Sequence, residues 1–323
     1  MKKVVPLVSF ITVNYNQTGS TLELIASIYR HVTCTFEIIV VDNHSKISPL
    51  KEINRTYPEV KVIVSGVNRG FAGGNNLGLS ISKGRFLFFI NNDAVLTKGA
   101  VVQLLSSFEN PNIGAVSPMI CYFPTLVGEG KDIIQYAGAT QVNSFTGRNV
   151  ILGEGQIDQG QYRRSKSTFY THGAAMMVSR SVIDKVGSMS ESYFLYYEEL
   201  DWCERIRRAG YTILFQPAAK IYHKESVSVG KFSPMKTYYL TRNRILFMSK
   251  NKEVGEFIVF SLFLFFIVMP WKTLKYIFKR EGAQLSAFYR AILWNYSVKN
   301  KKDSSLRSFS EETSENQSVI LVS

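Results

Sequence analysis

The chain has 323 residues, which corresponds to one large domain or two smaller ones. Hydrophobic residues make up 46% and charged residues 20%, a composition that supports a buried core and excludes a disordered chain, a collagen and a disulfide scaffold. The three cysteines are far apart with no CxxC pair, which excludes a zinc ribbon, and the formal net charge is +13.

The N-terminal residues predict a strand rather than a signal peptide. Two lysines are followed by apolar residues, but the run soon reaches polar Asn14 and Asn16, and no small-residue cleavage site follows. We therefore expect the protein to be made in the cytoplasm and not exported.

The first third of the chain alternates strand-like and helix-like patterns. Strands are expected at 4–13, 36–41, 60–64 and 86–90, with helices at 21–30 and 74–82. Short, continuously apolar strands between helices are typical of a Rossmann-like α/β fold, with a mostly parallel central sheet and helices on both faces. Ligands of such sheets lie at the carboxyl ends of the strands. Polar residues follow three of these strands here, namely Asn14, Asp42 with Asn43, and 91–93.

The rest of the chain predicts fewer regular elements. Residues 120–170 are rich in Gly, Gln and Tyr and predict a hairpin or an extended loop beside the sheet. Strands are then expected at 169–178, 213–215 and 220–222, and helices at 181–186, 198–209 and 235–249. The Ser-, Glu- and Asn-rich end predicts disorder. We expect an α/β domain at 1–226, a basic helical segment at 227–302 and a disordered tail at 303–323.

Two segments suit a nucleotide or a sugar. Asp42 ends an apolar run, where a carboxylate can accept hydrogen bonds from a ribose hydroxyl or a base N–H; a helix-capping or turn aspartate is the alternative. Residues 68–78 read NRGFAGGNNLG, and their four glycines permit close backbone approach to a phosphate or a sugar ring. The spacing matches neither GxGxxG nor a P-loop, and a plain turn is the alternative.

Two further groups suit metal binding and proton transfer. Asp93 closes the triplet 91–93 at a strand end, where a divalent cation would bridge it to a diphosphate, and His223 is a second candidate ligand after a strand. Glu198, Glu199 and Asp201 crowd a helix start, so one of them could serve as a general base near neutral pH. The alternatives are a surface histidine and an acidic turn that only caps a helix.

In order and spacing these segments resemble family 2 glycosyltransferases of the GT-A fold, most closely the rhamnosyltransferase-like branch. The resemblance covers about residues 5–226. It is carried by TVNYN (12–16), IVVDNHS (39–45), NRGFAGGNNLG (68–78), FINNDA (89–94), HGAAMMV (172–178), ESYFLYYEELDWCERIRRAGY (191–211) and HKES (223–226).

The resemblance implies inverting transfer of a sugar from a nucleotide diphosphate sugar, with Mg or Mn as cofactor. Asp93 matches the last aspartate of the DxD-type metal motif, and His223 matches the histidine that closes the metal site. Glu199 takes the position of the catalytic base in the pair Glu198–Glu199. The donor is expected to contact Val13, Asn14, Asp42, Asn68, Gly70, Phe71, Asn75 and Asn92.

The sequence departs from the family pattern at two positions. The base is usually aspartate, and Glu199 reaches about one methylene further, so either the acceptor sits slightly differently or Asp201 is the base. Asn91 stands where a DxD motif often begins with aspartate, which weakens the expected metal cage.

The C-terminal segment carries most of the excess charge. Residues 224–302 contain 15 basic and 4 acidic side chains, which favours a polyanionic partner. The apolar run at 257–271 would span roughly 22 Å as a helix, short of the ~30 Å hydrocarbon core. We expect monotopic or re-entrant attachment to an anionic membrane surface on the inner face of the plasma membrane. A full span of the bilayer and a buried core helix are the alternatives. Nucleic acid is disfavoured because it does not explain this apolar run.

A membrane-facing transferase implies a lipid-linked saccharide acceptor in bacterial cell-surface polysaccharide synthesis, with dTDP-rhamnose or a UDP-hexose as donor. A glycosidase would also need two carboxylates, but no nucleotide pocket or metal aspartate. The alternative from another class is a non-catalytic scaffold that binds a sugar nucleotide or a lipid through a degenerate site.

Overall fold

The computed structural model describes residues 5–124, 131–224, 233–305 and 319–322, with the side chains of 298–305 and 319–322 left out of the description. The predicted domain boundary at 226 falls within 225–232, outside the described residues, and stays a prediction. The same holds for Glu225 and Ser226 of the HKES segment. Of the tail predicted to be disordered, 303–305 continue a helix and 319–322 form an edge strand, whereas 306–318 and 323 lie outside the described residues.

The described residues form one mixed sheet with helices packed against it. The strands are β1 Val8–Asn14, β2 Phe36–Asp42, β3 Lys61–Ser65, β4 Phe86–Ile90, β5 Ala94–Leu96, β6 Ile113–Tyr122, β7 Ile134–Tyr136, β8 Lys166–Thr168, β9 Ala175–Ser179, β10 Thr212–His223 and β11 Val319–Val322. The helices are α1 Thr18–His31, α2 Leu50–Thr56, α3 Gly70–Ile81, α4 Ala100–Ser106, α5 Arg180–Val186, α6 Glu198–Arg208, α7 Pro234–Asn251, α8 Val254–Phe263, α9 Met269–Phe278 and α10 Gly282–Ser305.

The strand order places the carboxyl ends of the first strands side by side. It runs β11-β3-β2-β1-β4-β9-β6-β10-β5, and β3, β2, β1 and β4 are mutually parallel. Antiparallel β9 joins this half to the parallel pair β6 and β10. The strands at the centre are buried along almost their whole length, which agrees with their continuously apolar sequences. All four strands predicted in the first third are present.

The second half of the sheet differs from the sequence prediction in several strands. Strands β5 and β6 are not among the predicted strands, and the strand expected at 169–178 is limited to β9, which begins at Ala175. The two strands expected at 213–215 and 220–222 form a single strand, β10, with a register shift between Gln216 and Lys220. Pro217 has no N–H for the ladder, which is why the pairing is interrupted there. At its end β10 pairs antiparallel with β5, and this places His223 opposite Ala94, the residue after Asp93.

Gly70 shows how tightly the glycine-rich segment is packed. Its φ is +68°, and a Cβ built on it would lie 2.0 Å from the carbonyl oxygen of Phe194. We expect Gly70→Ala to lower the free energy of unfolding by at least about 2 kcal/mol, because it combines left-handed backbone strain with a backbone clash. Chemical denaturation measures this. Gly19→Ala is the matched control: Gly19 lies in α1 with no atom within 4 Å of the added Cβ, so its stability should hold or rise slightly. Equal losses in both variants would contradict the packing argument.

The C-terminal apolar run forms one continuous helix, which consists of α8, a π-helical turn at Leu264–Val268 and α9. Within the described residues this helix, Val254–Phe278, is the one long and apolar enough to cross a membrane. Phe260, Leu264 and Tyr276 are buried on its inner side, against the loop at 144–147 and helices α7 and α10. Its outer side is apolar and exposed. The alternative of a buried core helix is therefore wrong.

Candidate active site

A chain of hydrogen bonds joins the carboxyl ends of β1, β2 and β4. The Asp42 carboxylate accepts from the N–H of Ser45, and the Ser45 hydroxyl accepts from the side-chain amide of Asn14. Asn14 in turn accepts from Thr21 Oγ1, which accepts from the amide of Asn92 at 3.1 Å. Sequence positions 14, 42 and 92 are thus brought together as predicted. Asn14 is fully buried, however, and both ends of its amide are used within the protein.

The Asp93 carboxylate and the His223 imidazole form a close pair next to this network. Asp93 Oδ1 lies 3.0 Å from His223 Nε2, and the Asn91 amide nitrogen lies 3.2 Å from the same ring nitrogen. On the far side of the ring, Nδ1 lies 2.8 Å from Oε1 of Gln135. Burial acts to raise the pKa of Asp93, but the hydrogen bond and charge of His223 outweigh it and leave that pKa below its usual range.

These donors fit a divalent cation. The Nδ1 of His223 faces the Gln135 amide oxygen, so Nε2 is the ring atom that faces the Asp93 carboxylate, at 3.0 Å. This nitrogen and the carboxylate oxygen are close enough to bind one metal ion together. Carboxylate oxygen and imidazole nitrogen are ligands that Mn²⁺ accepts, and Mg²⁺ prefers oxygen. Asp93, His223 and a donor diphosphate would hold it.

Glu198 and Glu199 are two adjacent carboxyl groups at the start of α6. Glu198 is 3% exposed, and the Oε2 atoms of both residues have no hydrogen-bond partner among the described residues. Burial raises the pKa of Glu199 to about 7. Burial and then the negative charge of Glu199 raise the pKa of Glu198 well above its usual range. The two neighbouring carboxyl groups therefore do not both ionise at neutral pH.

The turn before this pair is held in an unfavourable backbone conformation. Tyr196 and Tyr197 have φ values of 70° and 75°, which side chains other than glycine rarely adopt. The Asn243 amide on α7 donates to the carbonyl oxygens of Leu195 and Tyr196, both at 2.8 Å. The Tyr197 hydroxyl donates to the carbonyl of Gly147. The C-terminal helix α7 thus fixes the position of Glu198 and Glu199.

Asp201 lies in a different environment from the glutamates. Its carboxylate accepts hydrogen bonds from the Tyr193 hydroxyl, the Asn251 amide and Arg205 Nε, the last an ion pair at 3.0 Å. The contacts of Asp201 join α6 to the end of α7 and leave its oxygens engaged within the protein. They give no support to the alternative in which Asp201 is the base.

We expect Asp201→Asn to lower the free energy of unfolding by about 1–3 kcal/mol, because a buried acceptor of three hydrogen bonds loses its charge. Thermal and chemical denaturation check this, and the pH–rate profile of the folded variant should match that of the wild type. A variant of unchanged stability whose rate falls across all pH values would contradict the structural role.

The glycine-rich segment contacts the region before the glutamates. Asn68 Oδ1 accepts from the N–H of Gly70 and from the amide of Asn43, and the Phe71 N–H donates to the carbonyl of Phe194. Asn75 donates to the carbonyl of Phe71 within its own helix. Gly74 packs against Val13 at the end of β1, where a Cβ would come within 2.9 Å of the Val13 methyl carbons. Of the predicted donor contacts in this segment, Gly70 and Phe71 therefore also pack against or hydrogen-bond to Phe194.

Two adjacent residues connect the metal pair with the glutamate pair. The His172 ring lies 6.2 Å from the His223 ring, centroid to centroid, and a Cβ on Gly173 would lie 3.8 Å from Cδ of Glu199. Burial, and then the charge of His223, lowers the pKa of His172 to about 3, so this ring is neutral. The candidate base and the candidate metal ligands therefore belong to one site.

Sequence reasoning missed Gln135 and Asn243, which orient His223 and the turn before Glu198. Gln135 lies in a short apolar run and Asn243 lies between two arginines, and no local spacing singles out either amide. A further group at Cys121, Asp132 and Asp158 could geometrically hold a metal ion. The Lys220 ammonium lies between the two carboxylates, at 2.8 and 2.7 Å, so their charges are already compensated.

Solved structures with a similar fold are GT-A glycosyltransferases. GalNAc-T7 with UDP, GalNAc and Mn²⁺ matches with a TM-score of 0.58 and 17% identity, over 75% of this chain and 48% of that longer chain. The mannosyltransferase PcManGT of Pyrobaculum calidifontis, solved with GDP-Man and Mn²⁺, matches with a TM-score of 0.54 and 15% identity, over 95% of this chain and 82% of that chain. The protein thus has the GT-A fold with an additional C-terminal apolar helix.

The family model described as Glycosyl transferase family 2 matches residues 9–187, more than half of the chain, and the protein belongs to this family. The low-salt glycan biosynthesis hexosyltransferase Agl10 of Haloferax volcanii is 27% identical over 84% of this chain and 85% of its own length. The dTDP-rhamnosyl transferase RfbF of Shigella flexneri is 24% identical over 75% and 79%. The N-acetylglucosaminyl-diphospho-decaprenol L-rhamnosyltransferase of Mycobacterium tuberculosis is 24% identical over 72% and 79%.

Proposed function

We propose that this family 2 glycosyltransferase inverts configuration as it moves a sugar from a nucleotide diphosphate sugar to a hydroxyl of a lipid-linked saccharide. The observation that carries this is that Glu199 lies near the Asp93–His223 pair, around residues 172–173. The pKa of Glu199 is about 7, and its Oε2 has no hydrogen-bond partner among the described residues. Inverting transfer needs a base on the acceptor side and a cation on the leaving-group side of one sugar. This site offers candidates for both.

We assign a separate role in this reaction to each of the site residues. Glu199 takes the proton of the acceptor hydroxyl as that oxygen attacks the anomeric carbon, from the face opposite the leaving diphosphate. Glu198 stays protonated beside it, and Asn243 holds the turn that carries both. Asp93 and His223 would hold a divalent cation, which would supply positive charge to offset the negative charge that grows on the diphosphate. A single displacement inverts the anomeric carbon.

The strand-end network around Asp42 and Asn14 is proposed as the nucleoside side of the donor site. Relatives named for dTDP-rhamnose and hexose transfer favour dTDP-rhamnose or a UDP-hexose as the donor. A relative named for a diphospho-decaprenol substrate favours a lipid-linked acceptor. Polysaccharide assembly at the bacterial cell surface is the process that uses such acceptors.

We place the protein on the inner face of the plasma membrane through its C-terminal segment. The helix Val254–Phe278 packs one side against the protein and exposes an apolar outer side, which includes Phe265, Phe266 and Trp271. A helix that spans a bilayer alone would present all its sides to lipid, whereas a helix with one packed and one exposed side suits a monotopic attachment. The basic residues of the segment suit an anionic leaflet.

The first experiment measures donor binding by calorimetry, with dTDP, UDP and GDP each titrated with and without Mn²⁺ or Mg²⁺. Metal-dependent binding of one nucleotide, followed by release of that nucleotide when its sugar is transferred, supports the proposal. Binding with no turnover on any lipid-linked saccharide would favour the non-catalytic scaffold. The observations that favour the non-catalytic scaffold are the two departures from the family pattern, at Glu199 and Asn91.

A further inference from the structure

A basic cavity lies beside the turn that carries the candidate base. It has a volume of about 490 Å³ and is formed by α7, α9, the start of α10 and the loop at 148–149. Six cationic side chains line it: Arg148, Lys236, Arg244, Lys272, Lys275 and Lys279. Glu281 is the one acidic residue of the lining. Among the described residues, none of the six cations has an ion pair with a carboxylate, so the cavity carries uncompensated positive charge.

Arg244 makes this cavity a built site rather than a basic patch on the surface. The residue is 4% exposed, and its Nε has no hydrogen-bond partner among the described residues. A buried guanidinium group with an unused donor is costly unless an anion binds it. Its planar fork suits the oxygens of a phosphate, and the lysines around it supply further positive charge. The chemistry of the lining therefore selects a ligand with several phosphate oxygens.

The helix α9 connects this cavity to the apolar surface. Lys272, Lys275 and Lys279 line the cavity from one side of α9, at the three- and four-residue spacing that places side chains on one face. Trp271, Leu274 and Phe278 are exposed on the outer apolar side. An amphiphile could therefore place an anionic head in the cavity and its hydrocarbon against the same helix.

The cavity also reaches the catalytic end of the molecule. Tyr197 is part of its lining and lies two residues before Glu199, in the turn held by Asn243. A ligand whose phosphates lie among the cations could extend its next group toward the base. The charge of six cations far exceeds that of a single phospholipid phosphate, which favours a ligand with two linked phosphates.

We infer that this basic cavity binds the diphosphate of a lipid-linked acceptor, with the lipid against the outer side of the helix Val254–Phe278 and the sugar directed toward Glu199. The inference rests on the proposed function and names the acceptor class for the same site. In this arrangement the phosphates of the donor lie at Asp93 and His223, and the phosphates of the acceptor lie among the six cations.

The test measures binding of farnesyl diphosphate to the full chain by calorimetry, with inorganic diphosphate and farnesol as partial probes. Lys272→Gln/Lys275→Gln should weaken farnesyl diphosphate on the order of tenfold or more, because two charge-assisted contacts are lost. The matched control Lys51→Gln/Arg55→Gln removes the same charge from the distant helix α2 and should bind like the wild type. Lys236→Gln, on the α7 wall, is a second variant in case the double variant fails to fold.

Two parallel measurements separate the outcomes. Binding of UDP or dTDP with Mn²⁺ should be equal in the wild type and the cavity variants; its absence from the wild type would contradict the proposed function itself. With nucleotide binding intact, unchanged farnesyl diphosphate affinity in the cavity variants overturns the inference. So does a variant that keeps this affinity and loses binding to phosphatidylglycerol vesicles, because the cavity would then be a phospholipid site.

Discussion

Glu199→Gln is expected to lower the turnover number by about 10²–10⁴-fold while donor binding stays unchanged, because the amide cannot accept the acceptor proton. Steady-state kinetics with a saturating donor measure the first effect, and calorimetry with the nucleotide measures the second. Glu199→Asp should retain a measurable part of the activity, since it keeps the carboxylate and loses about one methylene of reach.

The pH profile of the wild type follows from the same carboxyl group. Because the pKa of Glu199 is raised to about 7, its basic form is lost as the pH falls through 7. The rate should therefore fall about tenfold per pH unit below about 6 and level off above about 8. Glu198→Gln is the matched control: Glu198 stays neutral in the proposed mechanism, so the amide should keep most of the activity and the same acid limb. A large loss in Glu198→Gln with an active Glu199→Gln would reverse the two roles.

Asp93→Ala is expected to abolish the metal dependence of nucleotide binding. It removes the one carboxylate of the proposed cation site, and loss of a ligand should weaken metal affinity by about 100-fold or more. Calorimetric titration of Mn²⁺ in the presence of the nucleotide measures this directly. Gln135→Ala should weaken Mn²⁺ by about 10–100-fold, because it frees the His223 ring that Gln135 orients.

Asp132→Asn is the control for this prediction. It alters the other acidic group of the described residues that could hold a metal ion, beside Lys220. Its Mn²⁺ affinity should match that of the wild type. If Asp132→Asn loses Mn²⁺ and Asp93→Ala keeps it, the cation site has been assigned to the wrong carboxylates.

The N-terminal half of the fold could be predicted from the sequence because its strands are short, continuous apolar runs. Such runs must be buried on both sides, which requires parallel strands between helices, and this in turn places Asn14, Asp42 and Asn92 at one edge. The second half could not be predicted in the same way. Antiparallel β9 enters between β4 and β6, and its two pairings join residues roughly 60 to 90 positions apart, for which no local pattern exists.

The candidate site likewise has features that could be predicted from the sequence and features that required the structure. The sequence by itself determined which residue types stand at strand ends and at the start of α6, because local burial and helix-start preferences dictate those positions. The proposed choice of Glu199 over Asp201 required the tertiary structure, since the difference lies in their partners. Asp201 accepts hydrogen bonds from Tyr193, Arg205 and Asn251, whereas Oε2 of Glu199 has no partner among the described residues. The basic cavity likewise required the structure, because its cations come from a loop and from two helices, α7 and α9 with the residue after it, spread over more than a hundred residues. The excess positive charge can be counted from the sequence. That six of these cations line one cavity depends on how the helices pack, which the sequence does not show.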